Sequence, residues 1–441
     1  MDILPNLLFS FILILAFYFF VNNIYKLYKN ISLGKSVNRS DNRKKRILNM
    51  LRVAFGQSKM GAKPIAGILH LIVYVGFIII NIELLEIVVD GILGTHRIFA
   101  DYMGELYNYL IGSFEILALL VLISVIFFWV RRNILKIERF WKPEMKNWPK
   151  KDADLILYFE FIIMTLFLLM NSTDSLLQDN NYEGYVKAGF FPISDFLKPL
   201  FVSFDINYLF ILERSFWWMH IIFILIFLNY LYYSKHLHIL LAFPNTYYAN
   251  LNIKGMFDID KNITNEVKLM LGIENSNDQN NQVPDKFGAS DVFDLNWVQL
   301  MNSYSCTECG RCSSVCPANL TGKKLSPRKI MMDTRDRLEE VGSNIFKNKG
   351  KFVSDNKQLL NNYITKEELW ACTSCNACVE ACPIEIDPLS IIMDMRKYLV
   401  MEKSEAPVDL NNMMSNIENN GAPWPFNNQD RMLWAKENKL N

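Results

Sequence analysis

All eight cysteines of this chain fall in two runs, Cys306-Thr-Glu-Cys309-Gly-Arg-Cys312-Ser-Ser-Val-Cys316-Pro317 and Cys372-Thr-Ser-Cys375-Asn-Ala-Cys378-Val-Glu-Ala-Cys382-Pro383. Each reads C-x2-C-x2-C-x3-C-P. That spacing lets a tight loop and the helical turn after it aim three thiolates at one [4Fe-4S] cube, while the fourth cysteine reaches the other cube. The expected sets are Cys306, Cys309, Cys312 and Cys382 for one cluster, and Cys372, Cys375, Cys378 and Cys316 for the second. Zinc sites pair two C-x-x-C knuckles and give the third cysteine and the trailing x3-C-P no role. Disulfides do not suit runs that face the cytosol, where thiols stay reduced.

The second set of chemically capable residues is the histidines. The chain has only five, His70, His96, His220, His236 and His238, and all precede residue 243. Two neutral imidazoles from different helices can hold haem b. A polar ring inside hydrocarbon is costly unless it meets a ligand or a hydrogen-bond partner on a neighbouring helix.

The elements that position these residues divide the 441-residue chain sharply. Residues 1–243 carry repeated uncharged apolar stretches, and residues 250–441 have the charge mix of a soluble domain. Five stretches reach the roughly 20 apolar residues that a bilayer core requires: Leu8 to Leu27, Ile65 to Val89, Tyr109 to Val130, Leu155 to Leu177, and Phe216 to Leu240. The loop from Lys29 to Lys63 holds ten Lys or Arg against one acid, Asp41. The segment from Arg131 to Lys151 is also strongly basic, and the loops between them are acidic on balance. Basic loops stay on the cytoplasmic side, which places the N-terminus outside and the cysteine runs inside, at the inner (cytoplasmic) membrane. The first 30 residues lack a basic n-region and run too long for a cleavable signal, so they are expected to be an uncleaved anchor. The aromatic stretch Phe190 to Leu197 is either an interfacial element or a packed outer loop.

Depth sets the histidine pairing. His70 lies about five residues into the inner end of the second span, near 10 Å from the midplane at 1.5 Å per residue. The fifth span runs inward, so His236 and His238 lie near its inner end and His220 near its outer end. Eighteen residues make five helical turns, which would put His220 and His238 on one face and His236 about 200° around. An inner haem is therefore expected between His70 and His238, with His236 as rival ligand. An outer haem would use His220 with His96, in Gly94-Thr95-His96-Arg97. Otherwise His220 binds a quinone oxygen and His96 is a surface residue.

Five spans, an external N-terminus, His70 in Gly67-Ile-Leu-His70, and histidines 18 apart on the fifth span resemble the cytochrome b subunit of respiratory nitrate reductase and its relatives. The resemblance implies two haems and electron exchange with quinol near the outer one. In the nitrate reductase type a second histidine sits ten residues further along the second span, and here that position is Ile80, so the likeness carries the inner site and not the outer.

The second half reads as helices: Val292 to Met301, Pro327 to Val341, Lys366 to Ala371, and Pro388 to Met401. It resembles the helical two-cluster ferredoxin domain of the heterodisulfide reductase small subunit. Arg311, Lys323, Lys324, Arg328 and Lys329 form a basic patch near the first run, where cations raise a cluster's potential or simply face solvent. Asp333, Asp336, Glu339 and Glu340 follow at once, against nucleic-acid binding. The polar stretch Glu274 to Pro284 reads as a tether, residues 250–272 contain a short amphipathic pattern, and Trp424, Phe426 and Trp434 mark an aromatic tail that resembles a partner-docking segment or packs on its own domain.

The expected fold is all-α: a five-span cytochrome b-like domain (1–243), a linker (244–290), a helical ferredoxin domain (291–402) and a docking tail (403–441). The whole resembles a heterodisulfide-reductase-like membrane iron-sulfur oxidoreductase. That implies electron transfer between lipid-dissolved quinone and a cytosolic redox partner through haem b, one or two, and two [4Fe-4S] clusters. No G-x-G-x-x-G, P-loop or cysteine-rich CCG motif is present, so substrate chemistry is expected on a separate CCG-type catalytic iron-sulfur subunit. The competing expectation is a membrane-anchored ferredoxin without haem, a redox docking or sensing module.

Overall fold

The computed structural model describes residues 3–253, 255–257, 261–273, 286–427, 430 and 432–438. Among these the chain is built of helices and turns, with isolated bridges joining Lys35 to Asn296 and Leu360 to Ile364. Five long helices, α1 (Leu4–Ile31), α2 (Pro64–Leu93), α3 (Glu105–Asn133), α4 (Trp148–Asp179) and α5 (Ile206–Tyr230), head the order. Each is long and apolar enough to cross a membrane. They run past the apolar stretches at most ends, because polar end residues continue the hydrogen-bond ladder into the headgroup layer. α4 packs on α5 and α3, α3 on α2, and α1 lies against α2 and α5. Close approach needs small residues: a Cβ on Gly76 would stand 2.6 Å from Val121, and one on Gly91 2.6 Å from the Phe9 ring.

The fifth span departs from expectation. Instead of one helix to Leu240, α5 stops at Tyr230, Ser234 is extended (φ −116°, ψ 150°), and α6 (His238–Tyr247) starts afresh after a 3-10 turn at Lys235–Leu237. The cause is Asp152, buried on α4. Its carboxylate accepts from the Tyr230 hydroxyl at 2.5 Å and the Lys235 N–H at 3.1 Å, while the Ser234 hydroxyl caps the His236 N–H at 3.1 Å. His220 and His238 therefore sit on different helices, and the five-turn argument for a shared face does not apply. Pro244, expected to end the extension, lies inside α6. It withholds a donor from the carbonyl of Leu240, an exposed residue, and the Asn245 side chain ties the helix to the Ile384 carbonyl at 2.7 Å.

In the second half, α7 (Trp297–Ser305), α8 (Arg311–Val315), α9 (Pro327–Lys347), α10 (Ala377–Ala381) and α11 (Pro388–Met401) surround the cysteine runs. The helix expected over Val292 to Met301 is split. A 3-10 turn at Val292–Asp294 gives way to a new start at Trp297, fixed by a reciprocal cap between Asn296 and Gln299. The amphipathic pattern in 250–272 yields a helix at Lys261–Met270, and a further helix, Val408–Asn420, was not anticipated. The tether from Glu274 to Pro284 lies outside the described residues.

One apolar core spans both halves. Leu27, Ala54, Leu237 and Ala242 from the membrane half pack in the same cluster as Leu300, Tyr304, Leu338, Val341 and Leu399.

Candidate cluster and haem sites

The two cysteine runs fold alike. After α7, Cys306 is extended; Glu308 (φ 54°) and Gly310 (φ 71°) are left-handed, and α8 begins at Arg311. The second run repeats this with Ser374 (φ 56°) and Asn376 (φ 61°) before α10. Left-handed residues at these two places curl the loop so that its N–H groups and thiols point inward, and Asn is the side chain that best tolerates that conformation after Gly. The Cys-Pro signature has a local cause in the first run: Cys316 caps a short helix whose first residue is Pro317, where no N–H is needed.

α8 lies against α10, and the fourth cysteine of each run follows that helix, so each can cross to the other nest. Cys306, Cys309, Cys312, Cys378 and Cys382 line one cavity, with Arg311, Arg328 and Pro383. In the other group, Cys316 and Cys375 act electrostatically on Cys372, and Cys372 and Cys316 act on Cys378. The four cysteines expected for the first cluster thus share a cavity, and Cys378 of the second expected set lines it too. The thiols stand round the cavity wall without converging on one point: among the described residues no group of three or more His, Cys, Asp or Glu side chains is placed to hold a single metal ion. Burial pushes the thiols of Cys306 and Cys378 up to about 12 and that of Cys382 to about 11, with neighbouring sulfurs adding to the effect. Uncompensated negative charge there is costly, and bound iron would supply the compensation. Backbone donors are in place: the Ser374 N–H reaches the Cys372 sulfur at 3.4 Å and the Ile386 N–H the Cys382 sulfur at 3.3 Å.

The basic patch divides. Arg328 is fully buried and binds the Arg139 carbonyl and the Glu144 carboxylate, both at 2.7 Å; Arg311 donates to the Lys59 carbonyl at 3.0 Å. Both fasten the first nest to the membrane half. Lys324 pairs with Glu367 at the surface, and Lys329 with Asp333 and Glu368.

Below the first nest the structure brings three histidines together. The rings of His70 and His238 have centroids 6.4 Å apart, and those of His236 and His238 5.4 Å. Two imidazoles bound to one metal at about 2 Å per bond would stand with centroids about 6 Å apart, close to the separation of His70 and His238. The His238 Nδ1 faces the Lys235 carbonyl at 3.1 Å, so Nε2 is the nitrogen that could bind a metal. The His70 Nδ1 is buried without a partner among the described residues. His236 instead faces Glu160 at 3.5 Å. The other two histidines lie elsewhere. His220 binds the Ile163 carbonyl at 3.0 Å and packs on Phe167. His96 is engaged at both nitrogens, Nε2 with Asp174 at 3.1 Å and Nδ1 with the Val186 N–H at 3.1 Å.

Glu308 joins the nest to the histidines. Its buried carboxylate bonds Lys235 and, at 2.9 Å, Arg335, and Lys235 supplies the carbonyl that orients His238. Sequence reasoning missed Glu308, Lys235, Arg139 and Glu144, which have no signature of their own. It also passed over Glu83, Glu86, Glu115 and Glu160, whose signal was visible: acids inside apolar spans.

Comparison with known proteins agrees with the cysteine geometry. Residues 305–386 match the family model of the 4Fe-4S dicluster domain. The chain is 27% identical over 460 residues to the probable iron-sulfur-binding oxidoreductase FadF of Bacillus subtilis, covering 98% of this chain and 61% of that protein. It is 24% identical over 430 residues to the EtfAB:quinone oxidoreductase of Syntrophomonas wolfei, covering 91% and 55%. A probable membrane-anchored ferredoxin of Chromohalobacter salexigens is 30% identical over 165 residues, 34% of this chain and 24% of that one. The chain thus spans less than two thirds of the length of these relatives. No solved structure matches it. It is an iron-sulfur, oxidoreductase-like protein with five helices suited to a membrane.

Proposed function

We propose that this chain is the electron-transfer part of a membrane oxidoreductase, linking quinone in the bilayer to a cytosolic redox partner through a haem b and two [4Fe-4S] clusters. The observation that carries the reading is the His70–His238 pair, 6.4 Å apart and tied through Lys235 and Glu308 to the first cysteine nest. When bound, the haem and the clusters supply one-electron steps in both directions. The protein's own residues do the rest. His70 and His238 would each offer an imidazole nitrogen, and the Lys235 carbonyl fixes the His238 tautomer. Glu308 holds the nest against the end of the fifth span, and the helix pair α8 and α10 sets the two nests side by side. Cys375 is exposed, which makes the second nest the exit toward the soluble partner.

Orientation follows from the basic loops. Residues 29–63 and 131–151 lie at the end of the bundle that carries the nests: Lys59, Met60, Arg139 and Glu144 all touch the first one. By the positive-inside bias that end is cytoplasmic. The partners named for the Syntrophomonas relative, EtfAB and quinone, set the classes to try here, together with a CCG-type iron-sulfur subunit. The likeness to a membrane-anchored ferredoxin favours a second reading, clusters without haem. A reduced-minus-oxidised optical spectrum of protein made with ample haem separates the two. We expect a b-type α band, lost in His70→Ala and kept in His96→Ala; no band in the parent protein would overturn the haem.

A further inference from the structure

The end of the bundle away from the cysteine nests holds a buried polar network that electron transfer through the nests does not use. Arg97, left-handed at φ 52° and buried, donates to Asp174 at 2.7 Å, to Asn171 at 3.0 Å and to the Tyr107 hydroxyl at 3.1 Å. Tyr107 donates to Glu86 at 2.7 Å, and Glu86 also accepts from the Phe99 N–H at 2.9 Å. Asn171 donates to Glu115 at 3.1 Å, whose other oxygen takes the N–H groups of Ile193 and Ser194 at 2.8 and 3.0 Å. Asp174 receives His96 and Gln178.

One member has no such support. Glu83 is 3% exposed, and its Oε2 is buried with no hydrogen-bond partner among the described residues. The charged groups that face it are Arg97, Glu86, Glu115 and Asp174, from α2, α3, α4 and the loop after α2. Among these groups Arg97 alone is cationic, and its guanidinium bonds one of the four buried carboxyls, Asp174. Three of them, Glu86, Glu115 and Asp174, already accept hydrogen bonds. A fourth, undonated charge at membrane depth has no compensation. The arrangement is consistent with a carboxylic acid that keeps its proton.

We propose that Glu83 is the internal proton donor for quinone reduction, reloaded from the aqueous side through Asp174 and His96. This rests on the quinone-linked reading above. A quinone reduced to quinol takes two electrons, one at a time, and two protons. The first proton comes from the Glu83 O–H bond, leaving a carboxylate on α2. The second comes from water by way of His96 and Asp174, which reload Glu83 for a second transfer. His96, whose side chain is 15% exposed and meets Asp174, connects the network to the loop at Val186 and to water. Quinol oxidation runs the same step backwards, with the carboxylate taking the hydroxyl proton as the electrons leave.

The test uses the full-length protein in lipid nanodiscs, reduced with dithionite and offered a menaquinone or ubiquinone analogue. Redox-induced infrared difference spectra are expected to show the carbonyl stretch of a protonated carboxylic acid in the parent protein and its loss in Glu83→Gln. The same variant should reduce quinone about 10- to 100-fold more slowly, increasingly so at high pH, with haem and cluster spectra unchanged; Glu83→Asp should recover part of the rate. If Glu83→Gln keeps both the infrared band and the parental rate across pH, the proposal is overturned. A parent protein that shows no haem band or no quinone reduction overturns the wider reading instead.

Discussion

At the scale of single residues, the cysteine nests depend on two backbone positions as much as on sulfur. Gly310 sits at φ 71°, and a Cβ there would lie 2.5 Å from the Arg328 Nη1. Arg328 cannot withdraw, because its guanidinium is fixed by 2.7 Å bonds to the Arg139 carbonyl and to Glu144. A left-handed residue with a side chain also costs about 1–2 kcal/mol. Gly310→Ala is therefore expected to lose the first cluster and keep the second, lowering bound iron by about half. Iron analysis with electron paramagnetic resonance of the reduced protein checks this, and full iron content in the variant would refute it. Asn376 holds the matching place in the second nest at φ 61°, and Asn376→Gly is the control that retains both clusters.

At the scale of elements, the break between α5 and α6 decides how the sites are joined. The apolar run from Phe216 to Leu240 reads as one helix, and nothing local to it announces a break. The signal is Asp152 on another helix, which takes Tyr230 and the Lys235 N–H, and a single sequence does not reveal a partner 83 residues away. The five spans, the dicluster cysteine runs and Pro388–Met401 were legible because each follows from local spacing or composition. The buried Arg97 network was not, since its members lie on three spans and two loops. The break frees Lys235 to bridge to Glu308, and both ends of that bridge are buried, at 10% and 2% exposed. Glu308→Gln removes the carboxylate that Lys235 and Arg335 share, leaving Lys235 with Asp152 at 3.7 Å and Arg335 with Asp336 at 3.3 Å. Breaking a buried pair costs up to about 3–5 kcal/mol. We expect a lower unfolding temperature in detergent and, because His238 is oriented by the Lys235 carbonyl, an altered b-band or midpoint potential. A variant with parental stability and potential would show that the bridge is incidental.

At the scale of the whole molecule, the sequence divides at about residue 243, but the packing does not. Leu27, Ala54, Leu237 and Ala242 share their core with Leu300, Tyr304 and Leu338. The polar contacts cross as well: Asn30 to the Tyr304 hydroxyl at 2.9 Å, Asn302 to Asn245 at 3.0 Å, and the Trp297 indole to the Val37 carbonyl at 3.2 Å. Each fully buried large apolar side chain contributes about 1.5–3 kcal/mol, and a domain's total stability is about 5–15 kcal/mol. A ferredoxin half cut away from the spans therefore gives up a sizeable share of what holds it folded. A fragment of residues 286–441 is expected to aggregate, or to bind fewer clusters and more of a hydrophobic dye than the full chain. Should it instead be a soluble monomer with both cluster signals at parental potentials, the halves are separable modules and the shared core is an adornment. With the shared core intact, the distance from the His70–His238 pair to the first nest is set by packing and not by a linker, as a fixed electron path requires.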